Sequence, residues 1–187
     1  MRYSEKTVPL KNGGTVRLRA PELEDAAEMI AFLERACGET DFLARRSGEI
    51  TYTEEGERAY LDGCLESPDS LMIVAEVDGK IAGNSQIVRL SSHVKTRHRA
   101  NLMIGLLSEY WGLGIGSAMF RELERIAREW DGVHQLELEM AEGNERAFGL
   151  YRKMGFSVTG ELPDALLAAD GSYRKLIYMR KVLEAQR

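Results

Sequence analysis

The stretch Tyr110-Trp-Gly-Leu-Gly-Ile-Gly-Ser-Ala-Met-Phe120 sets glycines at alternate positions, Gly112, Gly114 and Gly116, directly before a helical pattern. Glycine has no Cβ and visits positive φ cheaply, so such a run lets successive N–H groups converge on an anion. It also suits a plain tight turn. A dinucleotide fingerprint needs a third glycine, but the registers beginning at Gly112 and Gly114 place Ser117 and Met119 there. A P-loop needs Gly-Lys-Ser/Thr after a longer spacer, and no such triplet follows.

The flanks locate the glycines. Upstream, Ala100 to Leu107 reads as a strand. Downstream, Ile115, Met119, Leu123, Ile126 and Trp130 share one helical stripe opposite Arg121, Glu122, Arg125 and Glu129. At such a strand-to-helix junction the amides of Leu113 to Ser117 project from a helix N-terminus. There they can hold a diphosphate together with the positive end of the helix dipole.

Further out, Thr15 to Arg19 alternates as a strand, and Pro21 opens a helix predicted to run to about Cys37. A more polar helix spans Glu54 to Glu66. Leu71 to Val77 and Lys80 to Leu90 flank Asp78-Gly79, a dipeptide suited to a two-residue hairpin with positive φ at both positions. Gln135 to Met140 alternates apolar and acidic residues. The next helix carries Ala147, Leu150, Tyr151 and Met154 on one stripe, with Asn144 as its cap and Gly155 at its end. Strands near Phe156 to Thr159 and from Tyr173 to about Val182 close the pattern, with a loop through Asp170-Gly171 between them.

The expectation is one α/β (α+β) domain over 1–187, its core at about 15–182. It has a mixed, mostly antiparallel sheet of about six to seven strands flanked by helices. At 187 residues the chain can bury a core without staples. Cys37 and Cys64 form no ligand spacing and suit a reducing compartment. No apolar run reaches the eighteen or so residues of a membrane span, and a net charge of −5 argues against nucleic acid. A soluble, cytoplasmic protein is expected, without a nucleic-acid or membrane partner. No His/Cys cluster suggests a metal: His93, His98 and His134 read as polar surface residues.

Tyr110 to Met119 resembles the acetyl-coenzyme A loop of the GCN5-related N-acetyltransferases (GNAT), [RQ]-x-x-G-x-[GA], with Trp111 where Arg or Gln is usual. Asn144 to Phe156, NERAFGLYRKMGF, looks like their N-x-x-A-x-x-L-Y-x-K-x-G-F segment. The resemblance covers Val16 to Val182. It implies splayed central strands with the pantetheine arm in the gap, backbone contacts from Leu106 and Leu107, and pyrophosphate on Leu113, Gly114, Ile115, Gly116 and Ser117. Asn144 would bond the cofactor arm, although a plain helix cap explains it equally well. Arg146, Arg152 and Lys153 could meet the 3′-phosphate, and Lys153 is taken as a cofactor residue.

Under this resemblance Tyr151 is the general acid for the departing thiolate; the simple alternative is a core tyrosine. Some members place a basic Glu early on the strand before the loop, where this chain has Asn101. Glu139 is named as the candidate base, against the simple reading of a solvated strand carboxylate that also fits Glu137 and Glu109. A lysine-like ammonium of pKa about 10.4 costs about 4.6 kcal/mol to deprotonate at pH 7. A base acting through water would serve. The Thr40 to Glu57 segment would build the acceptor wall, where Glu49, Glu54 and Glu55 could attract an amine or stand as solvated charges. Lys175 replaces a frequent Asp near the C-terminus.

The implied activity is acetyl transfer from acetyl-CoA directly to a primary amine of a small molecule or peptide, without a covalent enzyme intermediate. Homodimerisation is compatible with the family. Two alternatives stay open: a non-catalytic acyl-CoA-binding sensor, and an interaction domain whose glycines are only structural.

Overall fold

The computed structural model describes residues 3–183. The ends of the expected 1–187 span, residues 1–2 and 184–187, lie outside the described residues. Strands β1 (Lys6–Pro9) and β2 (Thr15–Arg19) lead through a 3₁₀ turn at Leu23–Asp25 into helices α1 (Ala26–Glu39) and α2 (Glu54–Glu66). The hairpin β3 (Ser70–Val77) and β4 (Lys80–Arg89) follows, then β5 (Arg99–Leu106), a 3₁₀ turn at Ser108–Tyr110 and α3 (Ile115–Glu129). Next come β6 (Gln135–Ala141), α4 (Glu145–Lys153), β7 (Ser157–Leu167) and β8 (Tyr173–Val182).

The strands form one eight-stranded sheet in the order β1-β2-β3-β4-β5-β6-β8-β7. Among the described residues only β5 and β6 run parallel. Asp78 and Gly79 adopt φ of 50° and 74°, the primed turn that this dipeptide favours.

Eight strands exceed the six to seven expected, and the excess lies at an edge. β1 lacks a clear alternating pattern and exists through its pairing with β2. At the other edge β7 runs to Leu167, well past the expected end near Thr159, because an edge strand tolerates a proline at an irregularity. Pro163 sits there, where the β7–β8 register shifts between Leu162 and Leu166 and Asp164 takes φ of 51°.

Alternation divides the side chains between two layers. On one face the α3 stripe, Ile115, Met119, Leu123 and Ile126, packs with Ala100 and Leu102 of β5 and Leu136 and Leu138 of β6. Each fully buried side chain of this kind contributes about 1.5–3 kcal/mol. On the other face, Met72, Val74 and Ile81 pack against Met29, Phe32 and Ala36 of α1 and Leu61 and Cys64 of α2. Asn101, Met103 and Glu139 alternate onto that second face, opposite α1 and α2.

The β5–β6 pairing covers Arg99 with Gln135, Ala100 with Leu136 and Asn101 with Glu137, and then stops. Beyond it the two strands diverge, opening a gap between Ile104 on one side and Met140 on the other. The splayed central pair expected from the resemblance is thus present.

Candidate functional site

The glycine turn closes one end of this gap. Gly112 and Gly114 have φ of 80° and 100°, and Gly114 forms the N-cap of α3 without any side-chain cap. A helix leaves its first N–H groups without intrahelical partners. Among the described residues no chain acceptor takes the amides of residues 112–117, although the Leu113 carbonyl accepts from Lys11 N at 3.2 Å. The cradle is therefore a set of unspent donors at a positive helix end, which suits a phosphate-bearing group. Gly116 serves a different need. A Cβ there would lie 3.1 Å from Leu150 Cδ2, so its absence lets α3 approach α4 closely.

Trp111 fixes this loop to the strand: its indole N–H donates to the Leu106 carbonyl at 2.8 Å. The Leu107 amide donates to Ala82 and its carbonyl accepts from Tyr110, so both groups serve the fold. Asn144 caps α4, its side-chain oxygen accepting from Ala147 N at 3.1 Å. Lys153 is exposed in the last turn of α4, at the end away from Asn144. The cation beside the loop is Arg146, whose guanidinium carbon lies 4.7 Å from the Trp111 ring centroid.

A cavity of about 880 Å³ runs from the β5–β6 gap to the inner face of α2. Tyr151, Met140 and Ile104 line its inner part, and Asn101 and Glu139 its sheet wall. The acceptor-wall segment contributes Phe42 to Arg45 and Thr51 to Thr53. Tyr151 is 7% exposed and its ring packs on Phe120 and Phe156, with centroids at 5.3 and 6.4 Å. Burial pushes its phenol up to about 12, and among the described residues no group hydrogen-bonds its hydroxyl. The proton stays on this oxygen at neutral pH.

The carboxylates of the sequence reading separate by their partners. Glu137 accepts from Nε and Nη2 of Arg99, with Nη2 at 2.6 Å, and this pairing holds its carboxyl below the usual range. Glu109 pairs with Arg35 at 2.9 Å. Glu139 is exposed on the cavity wall and has no such partner among the described residues. Lys175 is engaged by Glu161 and Glu142 at 3.0 and 3.5 Å. Burial pushes the thiols of Cys37 and Cys64 up, keeping them protonated and poorly nucleophilic. No cluster of metal-ligating side chains occurs among the described residues. No described helix is long and apolar enough to cross a membrane.

A buried acidic residue of the site escaped the sequence reading. Glu57 lies on the cavity wall, is only 5% exposed, and burial alone pushes its carboxyl up. The available signal was its spacing to Leu61 and Cys64, which puts it on the buried stripe of α2.

An open sheet whose single parallel pair splays beside an amide-lined helix start defines a recognisable class of α/β protein. The pattern described as the Acetyltransferase (GNAT) family matches residues 24–156, and the chain belongs to that family. A crystal structure of a GNAT-family acetyltransferase from Streptococcus pneumoniae superposes with a TM-score of 0.84 at 30% identity, covering 90% of this chain and 99% of that one. The chain is 34% identical over 110 residues to spermidine N(1)-acetyltransferase of Escherichia coli (strain K12), covering 57% of this chain. It spans 55%, just over half, of that relative's length. It is also 28% identical over 117 residues to the L-amino acid N-acetyltransferase AaaT of the same organism, covering 63% of this chain and 71% of the relative.

Proposed function

We propose that the protein is an acetyl-CoA-dependent N-acetyltransferase that passes the acetyl group directly to a primary amine of a small molecule or peptide. The observation that carries this reading is the arrangement of three features about one opening. These are the splayed β5–β6 gap, the unspent amides of residues 112–117 at its phosphate end, and Tyr151 on the wall of the cavity beyond. Acetyl-CoA, when bound, supplies the acyl group as a thioester.

Leu113 to Ser117 hold the pyrophosphate, and Arg146 or Lys153 offers charge to the 3′-phosphate. The side-chain amide nitrogen of Asn144 would donate to the cofactor arm while its oxygen caps α4. The neutral amine attacks the thioester carbonyl carbon. A C–N bond forms, the C–S bond breaks, and Tyr151 gives its phenolic proton to the departing thiolate. The proton lost from the new ammonium leaves through water, with Glu139 as a candidate relay, and the phenolate recovers a proton from solvent. The cysteines stay outside this sequence.

The hollow beyond Tyr151 has room for an acceptor, which supports transfer over simple acyl-CoA binding. Release of free CoA thiol in the presence of an amine panel tests the reading, with Tyr151→Phe as the control. CoA binding without transfer to any amine would replace it with a sensor role.

A further inference from the structure

The first turn of α2 reads Glu54-Glu55-Gly56-Glu57 behind its cap Thr53, whose hydroxyl accepts from Gly56 N at 3.0 Å. Acidic residues suit a helix N-terminus, and Glu54 and Glu55 are exposed there as expected. Glu57 is not: it shares the inner stripe with Leu61 and Cys64, which are 0% and 8% exposed. A chain selected only for packing would carry an apolar residue at this position.

The neighbours do not compensate the charge. Tyr60 donates its hydroxyl to Gln86 at 3.0 Å, and Gln86 donates to Ser70 at 2.9 Å and to Cys64 at 3.3 Å. That network is satisfied within itself. Among the described residues no hydrogen-bond donor or cation reaches the Glu57 carboxylate. Arg45, on the same cavity, is exposed and rests on the Tyr52 ring at 5.5 Å. A buried carboxylate with neither a partner nor a donor is costly, and the cost falls when a cation enters.

The second acidic group on the cavity is Glu139, across on the sheet wall. The rest of the lining is largely apolar and aromatic, with Phe32, Leu33, Tyr52 and Met103 among it. Such walls accept a methylene chain and place ring faces near cationic ends.

Resting on the acetyltransferase reading above, we propose that Glu57 anchors a second, non-reacting ammonium of the acceptor, so that the preferred substrates are unbranched aliphatic diamines or longer polyamines. The anchor acts on a different nitrogen from the one acetylated, because a carboxylate paired with the reacting nitrogen would hold its proton and oppose attack. An α-amino acid brings its own carboxylate into a cavity that already holds two, and is disfavoured.

Steady-state kinetics by CoA-thiol release test this with a 1-aminoalkane, an α,ω-diaminoalkane of matched length and an α-amino acid. The wild type is expected to favour the diamine over the monoamine at least tenfold in kcat/KM. Glu57→Gln raises the diamine KM at least tenfold and collapses that preference, with the acetyl-CoA KM and the CoA-induced thermal shift unchanged. Glu57→Asp, which keeps the charge, retains part of the preference. An unchanged diamine KM in Glu57→Gln overturns the anchor while leaving the acetyltransferase reading intact. A loss confined to kcat also overturns it, by placing Glu57 at the reacting nitrogen. If the wild type transfers acetyl to no amine, the acetyltransferase reading itself fails and the anchor with it.

Discussion

The Trp111 indole donates to the carbonyl of Leu106 at 2.8 Å, tying the glycine turn to the last residue of the strand before it. Where the family pattern has Arg or Gln, this chain has a side chain that acts on the loop's backbone. Trp111→Phe keeps a ring under Arg146 but removes this bond, which is worth about 1 kcal/mol. In a chain of this size that lowers Tm by about 2–4 °C. Because the unspent amides carry the anion, CoA affinity measured by calorimetry in Trp111→Arg stays within about threefold, equivalent to about 0.7 kcal/mol. A tenfold change would move the binding role to the side chain.

Gly114 holds φ of 100° at the N-cap of α3. An alanine there costs about 1–2 kcal/mol of backbone strain and re-aims the amides of residues 115–117. The expected outcome is a lower Tm together with loss of most of the CoA-induced stabilisation, which for the wild type at a hundredfold excess over Kd is about 2.7 kcal/mol. Gly171 provides the control, with φ of 82° in the β7–β8 loop and nothing near its missing Cβ. Gly171→Ala should lower Tm similarly and keep the full CoA response.

Burial pushes the Tyr151 phenol up to about 12, so the acid form persists across the working range. Its titration therefore adds no alkaline loss of activity below about pH 10, and rates rise with pH as the amine loses its proton. Tyr151→Phe is expected to lower kcat by about 10²-fold at every pH in this window, the lower end of general-acid contributions. Measured pH profiles of both enzymes check this. A wild-type to variant ratio that drifts with pH would assign the proton to another group.

These sites differ in how far local sequence revealed them. The Asp78-Gly79 hairpin and the Gly114 turn were legible because positive φ is a property of the residues themselves. The splay itself needed the family resemblance, because no pattern within β5 or β6 says that pairing stops at Asn101 and Glu137. Lys6–Pro9 and the outer half of Ser157–Leu167 were missed as strands. Edge strands carry weak alternation, and Pro163 reads locally as a breaker although the edge tolerates it. Trp111 looked like a departure from the loop pattern, and only its bond to Leu106 gives it a role. Glu57 was hidden among Glu54 and Glu55. Three acids in a first helical turn read as solvated charges, and tertiary packing alone sets one of them inside.

Glu57 also makes stability depend on pH in a direction opposite to that of paired carboxylates. Burial raises its folded-state pKa above the unfolded value, so the folded protein binds this proton more tightly. Its favourable contribution is then fully present below the unfolded pKa of about 4.3 and is lost as pH rises through the folded value. At pH 8 the unligated protein carries an uncompensated buried carboxylate, and Glu57→Gln removes it. The variant is expected to melt above the wild type at pH 8, because burial disfavours the ionised carboxylate that the variant lacks. The gap should narrow as pH falls and the folded carboxyl takes up its proton. Thermal melts of the two proteins across this range decide the point, and a gap that stays constant or reverses would mean that Glu57 is already paired in solution. A residue whose removal stabilises the free protein while weakening acceptor binding is kept for function and not for the fold.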